Sequence, residues 1–258
     1  MIVKNLIAVG VFTFLLFATF AFVQKDKIQK TEPVQTSGNN SFVILELFTS
    51  EGCSSCPPAD ELMGEIGKEY QDKPVYILSY HVDYWNRLGW KDRFSTPENS
   101  QRQQRYSYAL HSQVYTPQLV VNGKTEFVGS DKDAVENAIE KAFLTSKNTD
   151  IELSAEVSQN KINVQYAAST TDTKNVLLVN LIEKQSSTEV KKGENEGRHL
   201  QHWQIVHKQN EISLAKQQKG VTTFNLPDHF SPKDWEVIAF IQNTKTGTIS
   251  GAKKTTFN

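Results

Sequence analysis

Apolar positions follow two rhythms along this chain. From Phe42 to Phe48 nearly every residue is apolar, and the same holds from Val75 to Tyr80. Short runs of strand formers with both faces apolar predict strands buried on both sides. Between them Leu62, Met63, Ile66 and Tyr70 recur at helical spacing, and Pro74 ends the pattern. Strand, helix, strand predicts a right-handed parallel unit. Ser95-Thr96-Pro97-Glu98 reads as a helix start with proline at the first helical position, and that helix runs to about Leu110. Asn122-Gly123 between strand-like runs predicts a hairpin with its second strand at Thr125–Val128. Ser130-Asp131-Lys132-Asp133 opens a further helix, with Val135, Ala138, Ile139, Ala142 and Phe143 on one apolar face.

From about Thr149 the rhythm changes to alternation. Residues 151–157 and 161–167 predict a hairpin with one buried face. Further strands are predicted at 176–182, 221–226, 235–241 and 248–257, and no long helical pattern appears. The expected architecture is therefore an α/β domain over 41–147 and an all-β sandwich of six or seven strands over 148–258. The stretch 193–207 reads as a long loop leading into a strand.

Charge changes the picture only by exclusion. The chain has 28 basic and 29 acidic residues, so no broad basic field supports nucleic-acid binding. Two cysteines cannot build a disulfide scaffold. The N-terminus is more informative. One charge, Lys4, precedes an uncharged apolar run from Leu6 to Val23, the order of a secretory signal peptide. The run also has the length of an uncleaved anchor, so 1–23 is expected to be one or the other. Residues 24–40 read as a polar linker. Export to the periplasm or beyond is expected, with membrane contact only through this segment if it is retained.

The candidate chemistry centres on Cys53-Ser54-Ser55-Cys56, which holds both cysteines of the chain at the end of the first predicted strand. Such a pair can exchange disulfides, Cys53 attacking and Cys56 resolving. A free thiol titrates near ~8.5, so the thiolate needs stabilisation. Pro57 and Pro58 offer no amide hydrogen, and Pro58 disfavours a helical Pro57. The helix is thus expected to begin near Pro58, away from Cys53. The rival readings of the pair are a static disulfide and a metal site, which would need further ligands. His81, Asp83, Tyr84, Trp85, Trp90 and Asp92 follow the second strand, at the edge where sites form in open sheets. They read as a packed loop with a His81–Asp83 contact, as a substrate-groove wall, or as a source of His81 for a Cu(I) site with both cysteines. His199, His202 and His207 read as scattered surface histidines. Glu46 interrupts an apolar strand, as a proton base for Cys56 or as the partner of an arginine or backbone group. Glu51 reads as solvated, and as opposing a thiolate.

With Thr116-Pro117 opening the hairpin, the order β-α-β-α-β-β-α resembles the thioredoxin-like fold. More closely, the chain resembles a family of secreted bacterial thioredoxin-like proteins, through residues 46–60, His81-Val-Asp-Tyr-Trp85, Leu88-Gly-Trp-Lys-Asp92, Tyr115-Thr-Pro-Gln118 and Gly193-Glu-Asn195. The resemblance implies that Pro117 is a cis-proline facing the dithiol, that Thr116 presents its backbone to substrate, and that an acid near Glu46 assists Cys56. The expected function is an exported thiol–disulfide oxidoreductase without a cofactor. Its partners would be envelope or secreted protein substrates and an envelope redox partner. The alternatives are a copper-binding module using Cys53, Cys56 and His81, and a non-catalytic binding protein with a structural disulfide.

Overall fold

A computed structural model describes residues 41–257. The apolar segment 6–23 and the polar stretch 24–40 lie outside the described residues. The strands are β1 (Val43–Thr49), β2 (Val75–His81), β3 (Gln118–Val121), β4 (Thr125–Val128), β5 (Ile151–Ser158), β6 (Lys161–Ala168), β7 (Asn175–Glu189), β8 (His199–Ser213), β9 (Lys219–Asn225), β10 (Trp235–Asn243) and β11 (Ile249–Thr256). The α-helices are α1 (Pro57–Glu69), α2 (Pro97–Leu110) and α3 (Lys132–Thr145).

One eight-stranded mixed sheet, ordered β11-β10-β7-β8-β2-β1-β3-β4, runs through the described residues, beside a three-stranded sheet β5-β6-β9. The large sheet crosses the boundary expected at 147/148. Strands β1 and β2 pair in parallel, as a strand–helix–strand unit requires. The seam between the two halves is the parallel contact of β2 with β8, at Ser79 and Ile205. The Ser79 hydroxyl donates to the Trp203 carbonyl at 2.7 Å across it.

Alternation along each strand explains the layers, because successive side chains point to opposite faces. On β1, Val43, Leu45 and Leu47 pack against α1 and α3, while Phe42, Ile44 and Phe48 face the core that holds Tyr106 of α2. On β7, Val176, Leu178 and Ile182 join that second core, while Leu177, Val179 and Leu181 pack against the three-stranded sheet. Both strands look apolar throughout because both of their faces are covered. The four strands β7, β8, β10 and β11 therefore extend the first sheet. Only β5, β6 and β9 form the opposing layer of the C-terminal half.

Local chemistry accounts for the turns. Asn122 (φ 49°) and Gly123 (φ 63°) both take positive φ in the three-residue connection that sets Val121 opposite Thr125, and the Lys124 amide donates to the Val121 carbonyl at 3.0 Å. A Cβ on Gly123 would stand 1.9 Å from the Gly247 carbonyl oxygen, so glycine is also needed for the β10–β11 turn to dock there. Asn122 Oδ1 accepts from Ile44 N at 2.7 Å, tying the hairpin to β1.

Glu46 is the polar exception on β1 and lies on the Tyr106 face. Its carboxylate accepts from Arg102 Nε at 2.5 Å and, in a short bond, from the Tyr106 hydroxyl. Arg102 Nη1 also donates to Gln242 of β10 at 3.2 Å. Burial works against the Arg102 charge, but the Glu46 carboxylate outweighs it and holds the guanidinium protonated. Removing one partner of a buried pair costs about 3–5 kcal/mol. Arg102→Ala is expected to destabilise the protein by about that much in urea unfolding. The network joins both halves, so tryptophan fluorescence and far-ultraviolet circular dichroism should still report one coincident transition.

Candidate active site at the CxxC turn

The cysteines sit where β1 passes into α1. Cys53 and Cys56 are joined in a disulfide, with Cα atoms 5.4 Å apart. Both are fully buried, while Ser54 and Ser55 between them are exposed. The helix begins at Pro57, one residue before the expected start, and Cys56 (φ −80°, ψ −35°) is already helical. Covalent closure to Cys53 and packing of α1 on the sheet overcome the preference that Pro58 imposes on Pro57. Proline does fit the first turn, where an amide hydrogen has no helical acceptor.

That start has an electrostatic consequence. Helix N-termini usually stabilise anions through free amides. Here Pro57 and Pro58 have none, and the next two amides, Ala59 and Asp60, both donate to the Cys56 carbonyl at 2.9 and 3.2 Å. The Ser55 hydroxyl lies 3.4 Å from Cys53 Sγ. The same Ser55 Oγ reaches the Thr116 carbonyl at 3.5 Å, which brings the turn to Thr116–Pro117, a cis peptide bond. Trp85 Nε1 donates to Thr116 Oγ1 at 2.9 Å and holds this segment from the aromatic loop.

A strap between β7 and β8 covers the turn. Asn195 is fully buried, and its side-chain amide donates to the carbonyls of Glu51 and Cys53, both at 2.9 Å. Arg198 holds the Asn195 Oδ1 at 3.0 Å. Glu194 accepts from Ser54 N at 3.2 Å, and hydrogen bonding from the Ser54 side chain and then its amide lowers the pKa of the exposed carboxyl. Of the loop expected at 193–207, only 193–198 lies outside a strand, and it lies on the CxxC turn; from His199 the chain belongs to β8. The signal for it in the sequence is the Glu-Asn-Glu group between Gly193 and Gly197, which both take positive φ.

Behind the turn lies a buried cluster of ionisable side chains. It combines Glu51, Asp60 of α1, His81 at the end of β2, Asp92 and His202 of β8. His81 Nδ1 and Asp92 Oδ2 are 2.7 Å apart, and Asp92 also accepts from Glu51 N at 2.9 Å. Trp90 Nε1 donates to Glu51 Oε2 at 2.7 Å. The His81 and His202 rings meet edge to face with centroids 5.0 Å apart. Glu51 Oε1 is 3.4 Å from His202 Nε2. Yet Glu51 Oε1, His81 Nε2 and both ring nitrogens of His202 have no hydrogen-bond partner within the protein. The Thr49 hydroxyl donates to Asp60 Oδ2 at 3.1 Å. Burial raises the Asp60 pKa from 3.8 to about 6, against the lowering pull of His81 and His202. Burial also disfavours a charged His81, but Asp92 outweighs it and raises the ring's pKa; the imidazole in turn depresses Asp92.

Several expectations change here. His81 is buried against Asp92, so it neither contacts Asp83 nor forms a groove wall. Asp83 instead meets the Ser100 hydroxyl at 2.5 Å, and Tyr84 donates to Gln103 at 3.2 Å. Trp85 and Trp90 are partly buried beside the turn. Glu51 is buried rather than solvated. Glu46 has both oxygens engaged by Arg102 and Tyr106, the arginine-partner reading of that residue. Among the surface histidines expected, His199 and His207 pair with Glu189 and Glu183 at 2.6 Å, whereas His202 is fully buried. Among the described residues, no group of three or more His, Cys, Asp or Glu is placed to hold a metal ion.

The fold and turn thus define a protein with a disulfide-forming CxxC at a helix start beside a cis-proline. The family model described as "Protein of unknown function (DUF1223)" matches residues 44–242, and the chain belongs to that family. The chain is 32% identical over 102 residues to a thioredoxin of Methanocaldococcus jannaschii, a match spanning 39% of this chain and 96% of that one. It is similar to a crystal structure of an Agrobacterium tumefaciens protein, with TM-score 0.60 and 27% identity, covering 82% of this chain and 92% of the other. It is also similar in fold to HBP35 of Porphyromonas gingivalis, with TM-score 0.58 and 18% identity, covering 84% and 76% of the two chains.

Two outcomes are expected. Each hydrogen bond of Asn195 is worth about 1 kcal/mol, so Asn195→Ala should speed reduction of the disulfide by a phosphine about tenfold, counted by thiol trapping and mass spectrometry. An unchanged rate would show that the strap does not control access. The second concerns pH. Asp60 holds its proton in the folded protein up to about pH 6 but releases it near pH 3.8 when unfolded. Stability is therefore lost as pH rises through that window. Asp60→Asn removes this loss and should stabilise the protein above pH 6 by up to about 3 kcal/mol, the gain vanishing below pH ~4. Thermal unfolding from pH 3 to 8 checks it.

Proposed function

We propose that this protein is an exported thiol–disulfide oxidoreductase, with a thioredoxin-like exchange domain over 41–147 and sandwich-forming strands after it. The observation that carries this reading is the bonded Cys53–Cys56 pair at the start of α1, with cis Thr116–Pro117 within reach of Ser55. The likeness to a thioredoxin over nearly that protein's whole length supports it. In this reading Cys53 is the nucleophile and Cys56 resolves, while Thr116 and Pro117 shape the substrate contact. Trp85 and Tyr84 support them from the aromatic loop. Protein disulfides outside the cytosol would be the substrates, and a membrane or envelope dithiol would restore the pair. The apolar segment 6–23 supports that placement.

The electrostatics favour one direction. A dithiol oxidises its substrates strongly when its reduced form is stabilised as a thiolate. Here the helix start offers no free amide in its first four positions, and Glu51, Asp60 and Glu194 stand around the turn. Each of these disfavours a thiolate and so favours the disulfide. The pair accordingly acts as a reductant.

A second reading has one observation in its favour: both cysteines are fully buried, which suits a structural disulfide. Equilibration of residues 24–258 in glutathione and dithiothreitol buffers, with thiols counted by mass spectrometry, separates the two. The exchange reading expects a reversible two-electron couple toward about −270 mV rather than −120 mV. A pair that stays oxidised below about −300 mV would establish the structural bond instead.

A further inference from the structure

The segment that meets the dithiol turn from the far side, Tyr115 to Pro117, is held by side chains rather than by its own backbone. Among the described residues, no backbone–backbone hydrogen bond involves residues 113–116. The hold comes from α2, β3, β4 and the aromatic loop. Gln103 Nε2 of α2 donates to the Tyr115 carbonyl at 2.7 Å and to Gln118 Oε1 at 2.9 Å. Gln118 Nε2 in turn donates to the Gln113 carbonyl at 3.2 Å and to Glu126 Oε2 at 2.9 Å. The Tyr115 hydroxyl donates to the same Glu126 carboxylate in a short bond. Trp85 Nε1 takes Thr116 Oγ1.

Gln103 is the centre of this relay. It is fully buried, where a side-chain amide is costly unless it is hydrogen-bonded. Its amide hydrogens go to Tyr115 and Gln118, and its carbonyl accepts from the Tyr84 hydroxyl at 3.2 Å. The Tyr115 carbonyl can only accept, so it fixes which end of the Gln103 amide faces it, and Gln103 then fixes the orientation of Gln118. Asn99 and Ser100, one turn back on the same face of α2, bond the His81 carbonyl at 2.9 Å and the Asp83 carboxylate at 2.5 Å. One helix face thus fixes both segments that border the turn.

We propose that Gln103 is a positioning residue for peptide disulfides. Through the Tyr115 carbonyl and Gln118 it sets the Thr116 backbone at the Cys53–Cys56 turn, where the Thr116 carbonyl lies 3.5 Å from Ser55 Oγ. Gln103 itself is buried and does not touch substrate. The inference rests on the exchange reading, in which Thr116 and Pro117 shape the substrate contact. A small disulfide needs only the thiols. A peptide disulfide must also lie against residues 115–117, so a loosened segment weakens its capture. Loss of the Gln103 hydrogen bonds therefore separates the two kinds of substrate. A disturbed helix α2 would slow both alike.

The test mixes reduced wild-type or variant protein with an excess of either a fluorogenic peptide disulfide or hydroxyethyl disulfide, and follows a single turnover. In each case the protein dithiol loses two electrons and two protons as the substrate disulfide becomes two thiols. Gln103→Met keeps the length of the side chain and removes its hydrogen bonds. It should raise the half-saturating concentration of the peptide disulfide by about tenfold, because misplacement of a positioning group weakens capture. Its limiting rate on the peptide and its rate on hydroxyethyl disulfide should stay within twofold of wild type. Glu126→Ala releases the other end of the relay from a partly exposed position and should raise the peptide value in the same direction, by about threefold. If Gln103→Met does not fold, Glu126→Ala decides alone, and an unchanged peptide value overturns the inference. A peptide value in Gln103→Met within twofold of wild type overturns it as well, as does an equal slowing on both disulfides; either result leaves the exchange reading standing. A wild-type protein that reduces neither disulfide overturns the exchange reading itself.

Discussion

The buried charge on β1 constrains the whole arrangement. Glu46 lies in an apolar strand covered on both faces, where an ionised carboxylate is costly unless it is paired and hydrogen-bonded. Its compensation comes from two other elements, Arg102 and Tyr106 of α2, and Arg102 is held in turn by Gln242 of β10. The second half of the chain thus completes the electrostatics of the first. The shared core and the continuous sheet say the same in apolar terms, because Ile44, Tyr80 and Tyr106 pack with Leu178, Ile238 and Phe240. This is why the described residues are compact as one body rather than as two beads on a linker.

The same dependence reaches the dithiol. Strand β8 lies beside β2, and with it come His202, Trp203 and the strap that carries Glu194 and Asn195. Trp203 packs so closely on α1 that a Cβ on Gly64 would stand 2.5 Å from its Nε1. The helix bearing Cys56 and Asp60 is therefore held down by the C-terminal half. Asn195 fastens the carbonyls that flank Gly52, and Glu51, Asp60 and Asp92 gather behind the turn with His81 and His202. A thiol site on a helix start would ordinarily gain from the helix amides; two prolines and the Cys56 carbonyl remove that gain here.

Much of this was legible before any coordinates. Continuous apolar runs located β1 and β2, helical spacing located α1, a Ser-Thr-Pro-Glu start located α2, and Asn122-Gly123 located the β3–β4 turn, because burial and turn geometry act on neighbouring residues. Cys53-Ser-Ser-Cys56 was legible as a dithiol for the same reason. The strands β7, β10 and β11 do not form a separate sandwich, and β8, much of which reads as a loop, joins them to the first sheet. Alternation reveals that a strand has a buried face, not which strand lies beside it. Likewise, Glu51 reads as solvated beside an exposed-looking turn until Trp90, His202 and Asn195 close over it.

The sequence alone determined the order of elements, the redox-capable spacing of the cysteines and the near balance of charge. These follow from interactions between residues a few positions apart. Tertiary structure decided the rest. It placed Glu46 with Arg102 rather than with Cys56, buried His81 against Asp92, brought Asp60 and His202 behind the disulfide, and laid Asn195 across it. Those contacts join residues more than a hundred positions apart in several cases, as from Cys53 to Asn195. Only strand pairing and helix docking bring such groups within a few ångströms, and only at that range do desolvation and charge set how a thiol or a carboxyl behaves.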